Sequence, residues 1–325
     1  MADLASVVIC AWNNWPDLEL AIDSALAQTY RPLEVIVVDN SSDDATAQEV
    51  PRRFGDRVRY VRQANRGDSG AYNTGMALAR GEFVQFLDGD DFLAPTKIEK
   101  QVAVFRADPQ ADVVFGSVRY FQGPAGAAAW NDYDCGEGDI GIAPFLREEG
   151  RCVGAVLAVL FRRRALERVG AWDEAIYVSD SDYELRALVA GCRYRLCPGP
   201  PLSFKRVRPG QMGVQHAAML DGAEALWLKA LSLLSEPAHL DAVAGNLARV
   251  RFFRAFRAEG MTRREALAKC RQARSTCPGA VPLPAYAAAM LVIAIPGGRI
   301  LARSARLRSW RRRVARLLGY VIVPH

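Results

Sequence analysis

Within the first ninety residues, short β-branched or aromatic runs alternate with segments of helical apolar spacing, and that alternation constrains the fold more than any other feature. The runs are 6–11 (SVVICA), 33–38 (LEVIVV), 58–62 (VRYVR) and 83–87 (FVQFL). Between them, Leu18, Ile22, Ala25 and Leu26 recur at helical spacing, as do apolar residues over 45–54 and 71–79. Repeated strand–helix units predict an α/β fold, a doubly wound sheet of mainly parallel strands with helices on both faces. Such sheets bind ligands at the carboxyl ends of their strands. Three of those ends are polar here: "WNN" after the first strand, "DNSSDD" after the second and "DGDD" after the fourth.

Beyond residue 112 the alternation becomes irregular. "DVVFGSVRYF" and "CVGAVLAVLF" read as further strands, separated by a Gly/Ala-rich loop, "GPAGAAAWNDYDCGEGDIG", that suits a lid or acceptor-side element or a plain surface excursion. After about 215 the pattern is wholly helical. The expected division is a domain over 1–212, with a nucleotide-binding half at about 1–122 and an acceptor half at about 123–212, followed by a helical region over 213–325.

Charge is divided as sharply as structure. The 325 residues carry a formal net charge of +6, yet 262–325 hold twelve Arg and one Lys against the single acid Glu265, which leaves the body near −6. An acidic body with a basic tail points to an anionic surface for the tail alone. Residues 299–321 place Leu307, Trp310, Val314, Leu317 and Val321 on one stripe among eight arginines, a basic amphipathic helix suited to an anionic membrane surface, or a solvated helix packed on its own domain. The apolar run 285–295 is too short to span a bilayer. Seven cysteines without a C-x-x-C pair, and an N-terminus without a signal-peptide pattern, imply a reduced cytoplasmic setting, peripheral at the inner face of the membrane. No G-x-G-x-x-G follows the first strand, which argues against a dinucleotide oxidoreductase. Nucleic acid is not an expected partner: the tail lacks a recognition motif and the body would be repelled.

The stretch "FVQFLDGDD" ends a buried strand in Asp88, Asp90 and Asp91. Capping of the helix begun by "APTKIEK" accounts for one acid. A hard divalent cation accounts for more, because Mg²⁺ or Mn²⁺ takes few protein carboxylates and completes its shell with water and phosphate oxygens. D-x-D alone is a weak signal, and its context carries the weight.

That context resembles the family 2 inverting glycosyltransferases over roughly 5–125. Ser24, Gln28, Thr29 and Tyr30 stand in its S-x-x-x-Q-T-Y segment, and Val37, Val38, Asp39, Asn40 and Ser42 in its V-V-D-[DN]-x-S segment. Asn65, Gly67, Asn73, Gly75, Ala79, Gly81 and Glu82 keep register with the block that ends in D-x-D-D. The resemblance implies a GT-A type doubly wound mixed sheet, with a Rossmann-like nucleotide-binding half and a C-terminal helical extension. It implies a nucleotide site at Ala11, Trp12, Asn13, Asp39, Asn65, Tyr72, Asn73, Asp88 and Gly89. Within it, Asp39 would accept from the N3–H of uracil or thymine, Trp12 would stack on the base, Asp88 would hold the ribose and Asp90 a Mg²⁺ or Mn²⁺ ion.

Further along, "SDSDYELRALVAG" resembles the family's E-D-x-[DE]-L-x-x-R helix start. This makes Asp180 the candidate catalytic base and Asp182 the second acid, while Ser179 and Asp180 as a plain helix cap is the alternative. Two positions depart from the family: Tyr72 stands where Arg precedes the Asn, and Arg208 precedes Pro209 where a His-Pro pair is usual. Arg208 becomes a candidate phosphate contact. The implied partners are a nucleotide-diphospho-sugar donor, UDP- or dTDP-linked, and a glycan or lipid-linked acceptor in surface polysaccharide synthesis. The competing reading is a catalytically weakened glycosyltransferase-like scaffold at the membrane.

Overall fold

Three near-continuous apolar runs, each too hydrophobic to face water on either side, form the centre of the structure, as expected of strands buried on both faces. In the computed structural model these are β1 (Ala5–Ala11), β2 (Leu33–Asp39) and β4 (Phe83–Asp88). All seven residues of β1 are buried. The structure describes residues 3–123, 129–133, 140–147, 155–208, 216–257, 262–277, 279 and 286–287. Two compact units divide the chain, Met1–Gln211 and Met212–His325.

In the first unit β3 (Arg59–Arg62), β5 (Phe92–Leu93), β6 (Val113–Phe115), β7 (Val118–Phe121), β8 (Ala129–Tyr133), β9 (Leu160–Arg162), β10 (Tyr194–Leu196) and β11 (Ser203–Arg206) complete two sheets. The larger has the order β10-β6-β9-β4-β1-β2-β3, and the smaller the order β5-β11-β7-β8. Only β9 runs against its neighbours in the larger sheet, pairing antiparallel with both β4 and β6. The doubly wound mixed sheet is therefore the observed architecture. The edge strand β3 exposes Arg59 and Arg62, charges that discourage further strand pairing.

The helices are α1 (Asp17–Leu26), α2 (Thr46–Phe54), α3 (Gly67–Leu78), α4 (Lys97–Ala107), α5 (Ile142–Arg147), α6 (Arg163–Val169) and α7 (Ser179–Val189). Helix α3 lies so close to β1 that a Cβ on Gly75 would meet Val8 Cγ1 at 2.1 Å. Phe83 stacks on Phe105 of α4 at 5.3 Å, fastening that helix to the core strands.

Two expected strands are corrected. "DVVFGSVRYF" breaks at Gly116–Ser117 into β6 and β7, which belong to different sheets. Of "CVGAVLAVLF", Val156–Ala158 form a 3₁₀ turn and only Leu160 begins a strand. A buried polar knot accounts for the turn. Lys97 Nζ donates to Gln85 Oε1 and, at 2.5 Å, to Gln101 Oε1. The two glutamine amides in turn donate to Leu157 O (3.2 Å) and Ala158 O (2.9 Å). Side chains thus satisfy carbonyls that a ladder would otherwise take. Within the long loop, 129–133 pair with β7 as β8.

The second unit is helical among its described residues: α8 (His216–Leu233), α9 (Pro237–Arg257) and α10 (Arg263–Thr276). Trp227, Phe252, Ala266 and Cys270 are buried in it. Glu224 of α8 joins all three helices by accepting from Arg251 (2.7 Å) and Lys269 (3.0 Å). No helix among the described residues is long and apolar enough to cross a membrane. The tail 299–321 and most of 285–295 lie outside the described residues.

Burial lowers the Lys97 ammonium from its ordinary 10.5 to about 7. Between those values the unfolded chain binds more protons at this site than the folded chain, so wild-type stability gains from rising pH across that window. Lys97→Met lacks the gain. Its stability relative to wild type, measured by urea unfolding, should fall by about 1–3 kcal/mol between pH 7 and 10; a pH-independent difference would show that Lys97 titrates normally.

Candidate active site

Strand polarity gathers the acidic groups. Because β1, β2 and β4 are parallel, Ala11, Asp39 and Asp88 finish at the same end of the sheet. Gly89 follows Asp88, and its N–H donates to Cys10 O at 2.8 Å. A Cβ on Gly89 would come within 2.3 Å of Asn14 Nδ2, so close approach of the neighbouring loop, rather than a backbone bend, requires glycine there.

Beyond β1, Trp12 leaves 56% of its surface exposed. Asn13 takes a left-handed conformation, φ 48°, and locks the loop to the one after β2. Its N–H donates to Ser42 Oγ (3.0 Å) and its Oδ1 accepts from Asp43 N–H (2.7 Å). Asp39 is fully buried. It accepts from Ser42 N–H at 2.9 Å through Oδ1 and from the Tyr60 hydroxyl at 2.6 Å through Oδ2, with Arg62 at 3.8 Å.

Ligand oxygens of Asp88, Asp90 and Asp91 lie within 4.8 Å of one another. Asp91 is the buried member, braced by Lys205 Nζ (3.4 Å) and Arg206 N–H (2.7 Å). Asp88 accepts from Lys205 Nζ at 3.3 Å and from the Tyr72 hydroxyl. Asp90 pairs with Arg208 at 2.7 Å, and Arg208 also reaches Asp17 at 2.9 Å. Three cations, Lys205, Arg206 and Arg208, therefore sit among six carboxylates once Asp17, Asp68 and Asp180 are included.

The imbalance shows in protonation. Burial first, then the charges of Asp88 and Asp180, push Asp68 up to about 7. Burial drives Asp91 well above the usual carboxylate range despite Lys205. Hard oxygen donors, two of them on the half-buried Asp88 and Asp90, together with this surplus of negative charge, fit a divalent cation.

Asp180 lies in the first turn of α7. The N-cap is Val178 with no side-chain cap, so Asp180 is not a cap; its carboxylate accepts from Val156 N–H at 3.2 Å. Burial raises it, Lys205 lowers it and Asp88 raises it, leaving it at about 6. It borders a small cavity lined by Val156, Phe161, Trp172, Tyr183 and Glu184.

Several other candidates have partners of their own within the protein. Asp182 is buried and ion-paired with Arg186 at 2.9 Å within α7. Tyr72, 1% exposed, packs against Phe86 and Trp172 and touches the site only through Asp88. Asn73 donates to Trp172 O (3.0 Å) and accepts from Trp172 N–H (2.7 Å), so it clamps the segment before α7. Asn65 Oδ1 accepts from Gly67 N–H at 2.9 Å and caps the loop into α3. Arg208, the candidate phosphate contact, is held by two carboxylates. Lys205, Asp68 and Tyr60 belong to none of the sequence motifs that mark the site. The "FKR" step beside Arg208 was the one available signal for Lys205.

Since the folded chain holds a proton on Asp68 that the unfolded chain has released, Asp68 lowers stability as pH rises from about 4 to 7. Asp68→Asn should gain about 1–2 kcal/mol over wild type at pH 8 and nothing at pH 3.5, measured by chemical unfolding. An equal effect at both pH values would exclude charge repulsion as the cause.

The sequence model of "Glycosyl transferase family 2" matches residues 6–170. An uncharacterized glycosyltransferase of Rickettsia typhi is 29% identical over 246 residues, covering 72% of this chain and 73% of the relative. One from Rickettsia felis is 32% identical over 194 residues, 56% of this chain but only 30% of the relative's length. Escherichia coli UDP-Glc:alpha-D-GlcNAc-diphosphoundecaprenol beta-1,3-glucosyltransferase is 34% identical over 101 residues, 31% of this chain and 40% of that protein. Among solved structures, S. aureus TarS 1-349 in complex with UDP-GlcNAc aligns with a TM-score of 0.66 at 16% identity, covering 94% of this chain and 92% of that one. The Pyrobaculum calidifontis mannosyltransferase in complex with GDP-Man and Mn²⁺ aligns at 0.58 and 21% identity, covering 98% and 85%. These structures share the fold. With more than half of its length matched by the family model, the chain belongs to glycosyl transferase family 2.

Proposed function

We propose that the chain is an inverting glycosyltransferase that moves a sugar from a UDP- or dTDP-linked donor to a hydroxyl of a glycan or lipid-linked acceptor, in surface polysaccharide synthesis. The observation that carries this reading is Asp180 in the first turn of α7, within electrostatic reach of Lys205 and Asp88 and with its carboxyl raised to about 6. A general base works best near the pH at which it operates.

In this reading the exposed Trp12 ring covers the base. Asp39, whose two oxygens each accept one hydrogen bond from the protein, keeps a lone pair with which to accept the N3–H of uracil or thymine. Asp88 holds the ribose. Asp90, with Asp88 beside it, would hold Mg²⁺ or Mn²⁺, which supplies Lewis-acid neutralisation of the diphosphate. Asp180 takes the proton of the acceptor hydroxyl as that oxygen bonds to the anomeric carbon from the face opposite the departing diphosphate, and one displacement inverts the centre. Lys205 and Arg208 add positive charge where the diphosphate collects its electrons. The basic segment 299–321 would rest on the anionic inner face of the membrane, where lipid-linked acceptors lie.

One contact favours a second reading, a weakened transferase acting as a scaffold: Arg208 covers Asp90, the expected metal ligand. Nucleotide binding separates the two. In a thermal-shift panel of UDP, GDP, dTDP and CMP, each with Mn²⁺, Mg²⁺ or chelator, UDP or dTDP should raise Tm only with metal, and Asp90→Ala should lose the shift. The absence of any shift would leave the scaffold. Asp180→Asn should keep the nucleotide shift while kcat falls by about 10²–10⁴. Because the base must be deprotonated, wild-type kcat/KM should fall as pH drops through about 6.

A further inference from the structure

At the other end of the larger sheet, where β6 and β10 begin, a second polar cleft opens. Asp112 precedes β6 and Arg193 precedes β10. Its lining is Gln110, Asp112, Arg164, Arg168, Gly191 and Arg193. Because β6 and β10 are parallel to each other, and β6 runs with β4 through the antiparallel β9, this end lies opposite Asp39 and Asp88.

The cleft has a built floor. The Asp112 side chain is 4% exposed, and both its oxygens are engaged. Oδ1 accepts from Arg164 Nε at 2.6 Å; Oδ2 accepts from Arg168 Nη1 at 3.2 Å and from Arg193 N–H at 3.0 Å. Arg164 Nη2 also donates to Pro109 O and Ala111 O, both at 2.9 Å. The two guanidiniums are thereby fixed while their side chains remain about 40% exposed. The Arg193 guanidinium makes no hydrogen bond or ion pair among the described residues. Asp112 lines the cleft with three guanidiniums, and although the charge of Asp108 also reaches Arg193, positive charge is in surplus, with Arg162 and Arg163 adjoining the cleft in sequence.

We propose that this cleft binds a phosphate or diphosphate group. A tetrahedral dianion accepts several N–H donors at once, and planar guanidinium forks held at fixed angles meet it bidentately with little further ordering. Asp112 fixes the arginines and closes the floor, so the phosphate group enters from the solvent side. This inference is independent of donor binding at the opposite end of the sheet. Two sources share the chemistry, a free phosphate compound and a phosphomonoester lipid headgroup.

The test uses the full chain as wild type, Arg193→Glu, Arg193→Lys and Arg168→Gln, each checked for native circular dichroism and Tm. One arm titrates inorganic phosphate and pyrophosphate by calorimetry. The other measures sedimentation with phosphatidylcholine vesicles with and without phosphatidic acid. Every protein keeps its basic tail, so a difference between variants reports the cleft alone. Arg193→Glu and Arg168→Gln should weaken phosphate binding at least about fivefold, with Arg193→Lys in between. Loss of vesicle binding in the same variants assigns the headgroup. Unchanged vesicle binding beside weakened phosphate binding assigns a soluble phosphate compound. Equal phosphate affinity and equal sedimentation across all four proteins would overturn the proposal.

Discussion

The constraint on which the first unit depends is repulsion among carboxylates delivered to one end of a parallel sheet. At a separation near 4 Å, each like-charged pair costs about 4 kcal/mol in an environment of intermediate dielectric. The apolar runs of β1, β2 and β4 cannot close into a sheet with their acidic ends together unless positive charge arrives as well. Lys205 supplies it from a strand of the other sheet, reaching both Asp88 and Asp91. The smaller sheet makes that delivery possible: Phe92 of β5 and Phe204 of β11 stack at 4.6 Å and hold Lys205, the residue after Phe204, in position. Protonation of Asp68, pushed up to about 7, relieves part of what the cations leave.

The same economy of contacts sets the position of Asp180. Asn73 of α3 grips both backbone groups of Trp172, and Trp172 stacks on Tyr183 of α7 at 4.0 Å. Tyr72, the neighbour of Asn73, reaches Asp88 from the same turn. One helix thus fixes the spacing between a strand-end acid and a helix-start acid that lie far apart in sequence. Tyr72 and Asn73, which the resemblance places at the nucleotide, also hold Asp88 and the Trp172 segment in position.

How far the sequence disclosed this follows from the range of each interaction. The four early strands were legible because strand and helix periods are local, and Asp88 to Asp91 stood out because three acids after a buried run have no packing explanation. Lys205 was not legible, since its role comes from partners 114 and 117 residues away. The break of "DVVFGSVRYF" into two sheets was hidden because β propensity reports an extended chain and not the sheet it joins. The turn at Val156–Ala158 was hidden by its apolar composition, being specified instead by glutamines on β4 and α4. The need for glycine at 89 was not legible, because the close approach of Asn14 is a tertiary fact.

A parallel sheet also separates charge along its strands. Acids collect where β1, β2 and β4 end, and arginines collect where β6 and β10 begin and the antiparallel β9 ends, with Arg162 opposite Phe83. The acidic balance of residues 1–261 conceals this, because a summed charge carries no direction. Oppositely charged groups that would pair if brought together are kept a strand's length apart, and Asp112 is held below the ordinary carboxylate range among arginines while Asp68 is pushed up to about 7 among acids. Each end therefore holds a surplus of one sign, offset in part by Lys205, Arg206 and Arg208 among the acids and by Asp112 among the arginines, and strand direction sets which residues of the larger sheet share an end.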